Sequence, residues 1–220
     1  MLIFRNIARG HCINVFNHTK FSLIKNDIRP SVSFFKAKLH INSSMNDKFY
    51  QQPLKNYELQ VQGSLFYENI VDGLCYDKFY REYCMPDTLF SWFLVTELHV
   101  WMFSFQLMQD AINGEKLRNS LIETMWNDIN TRIKKLKGVN TSVLKYQIKE
   151  LSEQFNASLI SYDEAIQSND VKLANHLWFR FFQSTPRNAS EIENLVAYIR
   201  EQVKILNACQ EIQHFRFPDK

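Results

Sequence analysis

The chain has 220 residues and a net charge of +3; 45% of its residues are hydrophobic and 22% are charged. A body of this size and composition can bury its own core, which excludes low-complexity chains and small scaffolds held by disulfides or metals. Residues 1–48 carry eight Lys or Arg against Asp27 and Asp47, leaving 18 basic and 21 acidic residues beyond them, so the body is mildly acidic and general nucleic-acid binding is a poor reading.

In chain order the leader comes first. Arg5 and Arg9 stand among Leu2, Ile3, Phe4, Ile7 and Ala8, serines follow from Ser22 to Ser44, and no acid precedes Asp27. A basic, serine-bearing, acid-poor opening is the pattern of an organelle-import segment. The same two arginines interrupt the apolar run that a secretory signal needs. The division expected is a disordered leader over 1–48 and a single helical-bundle domain over 49–220. Cys12, Cys75, Cys84 and Cys209 form no CxxC pair and read as reduced thiols.

Five Gly and five Pro punctuate the chain and leave long stretches free of both, which favours helices over strands. Short helices are expected near 64–72 and 75–83. Segment 87–112 follows, with Asp87 as its expected cap, and its run from Leu89 to Phe103 is apolar nearly all round. It is about long enough to span a bilayer, but Glu97 and His99 fall near its centre, and a charge there costs about 2.5 kcal/mol or more. A buried helix is therefore expected.

Between Gly114 and Gly138, the residues Leu121, Ile122, Met125, Ile129, Ile133 and Leu136 form one stripe. Leu144, Ile148, Leu151, Phe155, Leu159, Tyr162 and Ile166 recur at steps of three and four, one face of a long helix. Ala174, Leu177, Trp178, Phe181 and Phe182 make a further stripe. Ile192, Leu195, Val196, Ile199, Val203 and Leu206 make the last, opened by a capping box of Ser190 and Glu193. The fold class expected is all-α, with about six to eight helices.

Residues for chemistry are sparse. No two histidines stand four apart on one helix, and Glu211 with His214 is one Glu-x-x-His where a di-iron bundle needs two. There is no G-x-S-x-G motif and no phosphate-binding loop. Glu97 and His99, two apart, cannot form a dyad on one helix face. No catalytic residue, metal ligand or cofactor site is therefore expected. Arg132, Lys134, Lys135 and Lys137, with Lys145 and Lys149 beyond, form the main basic patch of the body.

The ordered blocks resemble a known family. Met85-Pro86-Asp87-Thr88 leads into Trp92-Phe93-Leu94-Val95-Thr96-Glu97-Leu98-His99-Val100-Trp101-Met102. Met125-Trp126-Asn127-Asp128, Gln154-Phe155, Tyr162-Asp163-Glu164, Leu177-Trp178-Phe179-Arg180-Phe181-Phe182 and Tyr198-Ile199-Arg200-Glu201-Gln202 follow. Together, over roughly 60–206, they are similar to the ubiquinol–cytochrome c chaperone family. One departure is Ala165, where the resemblance leads us to expect glycine, so the turn there is expected to be shaped differently.

The resemblance implies a non-enzymatic, cofactor-free assembly chaperone of respiratory complex III in mitochondria, with residues 1–48 as transit peptide. It implies a peripheral protein on the matrix side of the inner membrane. It further implies a small helical assembly partner, nascent cytochrome b as client, and a place near the mitochondrial ribosome. Asp128, Asp163, Glu164, Arg180 and Arg200 are its candidate partner contacts. Arg132, Lys134, Lys135 and Lys137 are candidates to face the ribosome or membrane. The rival reading is an enzyme or binding protein of mitochondrial quinone or haem metabolism, with Glu97 and His99 in a pocket.

Overall fold

A computed structural model describes residues 53–135 and 141–217. The expected leader over 1–48 and Lys137 lie outside these residues. Among those described, every regular element is a helix: α1 (Asn56–Gly73), α2 (Tyr76–Glu82), α3 (Leu89–Leu107), α4 (Gly114–Lys134), α5 (Thr141–Ile166), α6 (Asp170–Arg180) and α7 (Ala189–Ala208), then a 3-10 turn at Ile212–His214. The all-α expectation and its helix count hold. The described residues divide into two compact units, the first from 76–97 and 141–198, the second from 53–75, 98–135 and 199–217.

The second unit is built on α1 against α4. From α4, Leu117, Leu121, Met125, Ile129 and Ile133 are buried at every fourth position, the row that meets a neighbouring helix. From α1, Leu59, Phe66, Tyr67 and Ile70 are buried. The two backbones come close at Gly63, where a Cβ would stand 2.3 Å from Ser120 Oγ and 2.8 Å from the Leu121 amide nitrogen. A glycine inside a helix gives up about 1 kcal/mol relative to alanine. Here it is the residue that lets the helices touch. Helix α1 starts eight residues before the expected 64–72, because Gly63 and the polar residues before it hide the periodicity.

The join between α3 and α4 is a side-chain turn. Asp110 Oδ1 accepts from the amides of Ile112 at 2.8 Å and Asn113 at 3.1 Å. Gly114 then enters α4 where a Cβ would lie 2.2 Å from the Leu107 carbonyl oxygen. The 3-10 turn packs on α1, and Phe103, Phe215 and Phe217 stack in sequence, with ring centroids 6.2 and 5.1 Å apart.

In the first unit α5 packs on α6. Leu151, Phe155, Leu159, Tyr162 and Ile166 of the α5 stripe are buried, as expected. Tyr162 to Ala165 continue the helix, so the chain turns differently from one with glycine at this position; alanine favours helix, and this one is 4% exposed, packed inward. The turn comes after Ile166 instead, and Asn169 caps α6 by accepting from the Lys172 amide at 3.0 Å.

Three local expectations shift. Thr88, not Asp87, caps α3, its hydroxyl accepting from the Ser91 amide at 3.2 Å. Helix α7 opens at Ala189, before Ser190, and Asn188 takes the cap by accepting from the Ser190 amide at 3.3 Å. In α6 the buried row is Leu173, Leu177 and Arg180, and Trp178 is 38% exposed. Leu177, Phe181 and Phe182 of the expected stripe are buried, and Leu173 and Arg180 join them in place of Ala174 and Trp178.

Helix α3 is buried along nearly its whole length, with Val95, Leu98, Val100, Met102 and Phe103 at 0% exposure. No helix among the described residues is long and apolar enough to cross a membrane.

Candidate functional site

The polar residues that the sequence singles out separate into two buried ion pairs and an exposed set. In the first unit Glu97 is fully buried on α3, and Arg180 ends α6 at 4% exposure. Arg180 Nε donates to Glu97 Oε1 at 2.8 Å and Nη2 to Oε2 at 2.5 Å, a two-pronged grip on one carboxylate. Nη1 donates to Gln154 Oε1 at 2.8 Å. Ser158 also hydrogen-bonds Glu97. Gln154 and Ser158 both come from α5, so one cluster ties three helices.

Burial pushes the Glu97 carboxyl above the usual carboxylate range, and the facing Arg180 offsets only part of that. Glu97 in turn holds Arg180 more firmly cationic against its own burial. Burial also raises the Tyr162 phenol well above its ordinary value, keeping it protonated. His176 stands edge-on to Tyr162, ring centroids 4.4 Å apart. Burial, with Arg180 nearby, pushes its imidazole down to about 4, and its Nε2 has no hydrogen-bond partner.

The cluster joins α3, α5 and α6 through buried polar groups. Its carboxylate is gripped by a guanidinium, its imidazole is neutral, and its phenol is locked in the acid form. It fixes the register of α3, α5 and α6, because a shift of any one helix would strand a buried polar group without its partner. His99, two residues from Glu97, instead meets the edge of Phe217 at 4.7 Å. The two therefore form no dyad, as their spacing requires.

In the second unit Asp128 and Arg132 pair one turn apart on α4. Arg132 Nε lies 3.0 Å from both carboxylate oxygens, and the Tyr67 hydroxyl donates to Asp128 at 2.7 Å. Both charges are buried, Asp128 at 9% and Arg132 at 4% exposure. Asp128, Arg132 and Arg180 thus spend their charge inside the protein.

The other candidates lie at the surface. Glu164 is exposed and Asp163 partly exposed at the end of α5. Lys172 Nζ reaches Glu164 Oε1 at 3.6 Å. Arg200 is partly exposed on α7, and Lys134 and Lys135 are exposed at the end of α4. Beside Asp163 and Glu164 stand two residues that the periodicity leaves unremarked, Ile160 and Val171, each 72% exposed. The available signal is that both fall off the buried stripes of their helices. Among the described residues no group of three His, Cys, Asp or Glu side chains could hold a metal ion.

Comparison with known proteins adds what the geometry cannot. The family described as ubiquinol-cytochrome C chaperone matches residues 81–216, from the end of α2 through the 3-10 turn. A Drosophila melanogaster protein named ubiquinol-cytochrome c reductase complex assembly factor 1 is 44% identical over 160 residues, covering 71% of this chain and 62% of its own length. Proteins with the corresponding name from Xenopus laevis and Homo sapiens are 34% and 33% identical, covering 70% and 71% of this chain and 78% and 52% of theirs. The chain thus spans less than two-thirds of the fly and human relatives. No solved structure matches it. On the extent of the match and the identity to these relatives, the chain belongs to the ubiquinol-cytochrome c chaperone family.

Proposed function

We propose that the chain is an assembly chaperone for ubiquinol–cytochrome c reductase, respiratory complex III. In this reading it is a mitochondrial protein on the matrix side of the inner membrane, peripheral to it and without catalysis. It receives newly made cytochrome b, acts with a small helical partner, and works near the mitochondrial ribosome. The observation that carries the reading is the family match over 81–216, together with relatives named as assembly factors of that complex. The physical need is general: an unassembled membrane subunit exposes apolar helices that aggregate unless covered.

The residues divide their work accordingly. Asp163, Glu164 and Arg200, at the surface, are the proposed partner contacts. Lys134 and Lys135, with Lys137 next in sequence, are proposed to face the ribosome or the anionic membrane surface. Asp128, Arg132 and Arg180 serve the proposed contacts indirectly, by holding the helices that carry them.

Affinity capture of the tagged chain from gently solubilised mitochondria tests this. Recovery of cytochrome b with a small helical protein is the expected result. Recovery of neither, with a quinone or haem bound to the purified chain, would favour the metabolic reading instead. A second measurement addresses the basic residues. Charge reversal at Lys134, Lys135 and Lys137 should move the chain out of the ribosome or membrane pellet on sedimentation at low salt, and unchanged sedimentation rejects that assignment.

A further inference from the structure

We infer that the corner where α5 turns into α6 is a docking surface for a basic amphipathic helix of a partner protein. This rests on the chaperone reading for the identity of the complex, but on geometry for the surface. Ile160 and Val171 are the most exposed large hydrophobic residues among those described, at 72% each, and Trp178 adds a ring 38% exposed. Isolated apolar residues on a surface need no explanation, but Ile160 and Val171 are linked across the corner: Ile160 stands one turn from Glu164, and Val171 is next to Lys172, which reaches Glu164 at 3.6 Å. Ile160 lies one turn before Asp163 and Glu164 on the same face of α5. Val171 and Trp178, seven apart, share one face of α6. The Lys172–Glu164 contact at 3.6 Å and the Asn169 cap both lie at this corner.

The surroundings select the occupant. Between residues 163 and 172 the corner carries Asp163, Glu164 and Asp170 with Lys172, a formal excess of two negative charges over that stretch. Apolar anchors with a charged rim are the anatomy of a protein interface, and tryptophan is enriched at its energetic centre. Anionic lipid headgroups would meet like charge here. A second copy of this chain, paired about a two-fold axis, would bring acid against acid. A helix carrying Lys or Arg beside apolar residues at three- and four-residue spacing satisfies both parts of the surface.

A photo-cross-linking amino acid placed at 160 or at 171 in the full chain, expressed in mitochondria, tests the surface. The expected result is a cross-link from both positions to one protein, in a peptide with basic and apolar residues at helical spacing, reduced at least about tenfold by Glu164→Lys. Cross-links to lipid, to a second copy of the chain, or to nothing overturn the proposal. The double variant Ile160→Gln/Val171→Gln supplies the second arm. Both positions are exposed, so its thermal melt should match the parent. If loss of the chain lowers complex III and this variant restores it fully, the docking surface fails and the assembly reading stands. If the cross-link forms but complex III is indifferent to the chain, the assembly reading fails and the docking surface stands.

Discussion

Removing the guanidinium of Arg180 would leave Glu97 buried at 0% exposure without its counter-charge. Breaking a buried pair from one side costs about 3–5 kcal/mol, whereas replacing both partners by apolar groups is often near neutral. Arg180→Ala should therefore lower the unfolding free energy by about 3–5 kcal/mol in urea titration. Glu97→Leu/Arg180→Met should lose much less than the two single changes summed; additive losses would show that the ion pair is not the coupling. His176 gives the pH dependence. Its imidazole titrates near 4 in the folded chain against 6.5 when unfolded, so within that window the unfolded state holds the extra proton. Its contribution is fully present above pH 6.5 and is lost as the pH falls toward 4, on the order of 2–3 kcal/mol. His176→Phe keeps an edge against Tyr162 and removes the titration. Its stability should fall less steeply than that of the parent between pH 6.5 and 4, and parallel curves would exclude the imidazole as the cause.

At the scale of elements, the contact of α1 with α4 depends on an atom that is missing. Gly63→Ala gains helix propensity of about 1 kcal/mol, yet places a methyl against Ser120 and the Leu121 backbone. Overpacking of this kind typically costs about 1–3 kcal/mol, so the variant should unfold earlier despite the better helix former. Adding Ser120→Gly should recover part of the loss, because the side chain leaves but the Leu121 amide nitrogen at 2.8 Å remains. A melt unchanged or raised by Gly63→Ala would mean that the helices separate without penalty. The shift of α6 belongs to this scale too. An apolar pattern assigns Trp178 to the core because tryptophan is hydrophobic. Arg180 takes that side of the helix, where it meets Glu97, and Trp178 turns outward to donate from Nε1 to the Thr185 carbonyl at 3.0 Å.

For the whole molecule, the sequence by itself determined the helical class, most helix positions and the burial of α3. These follow from apolar periods of three and four residues and from the scarcity of Gly and Pro, which are local properties of the chain. The ordered blocks from Met85 to Gln202 likewise pointed to the family that the comparisons identify. Tertiary structure alone decided which charges are spent inside. Asp128, Arg132 and Arg180 read as surface residues because charge is usually solvated; Asp128 and Arg132 pair locally, one turn apart, but only the meeting of distant segments brings Tyr67 to Asp128 and Glu97 to Arg180 and covers all three. The same holds for what is left outside. Ile160 and Val171 resemble core residues by type, and their exposure follows from where α5 and α6 have already placed their buried faces, a choice that no local pattern encodes.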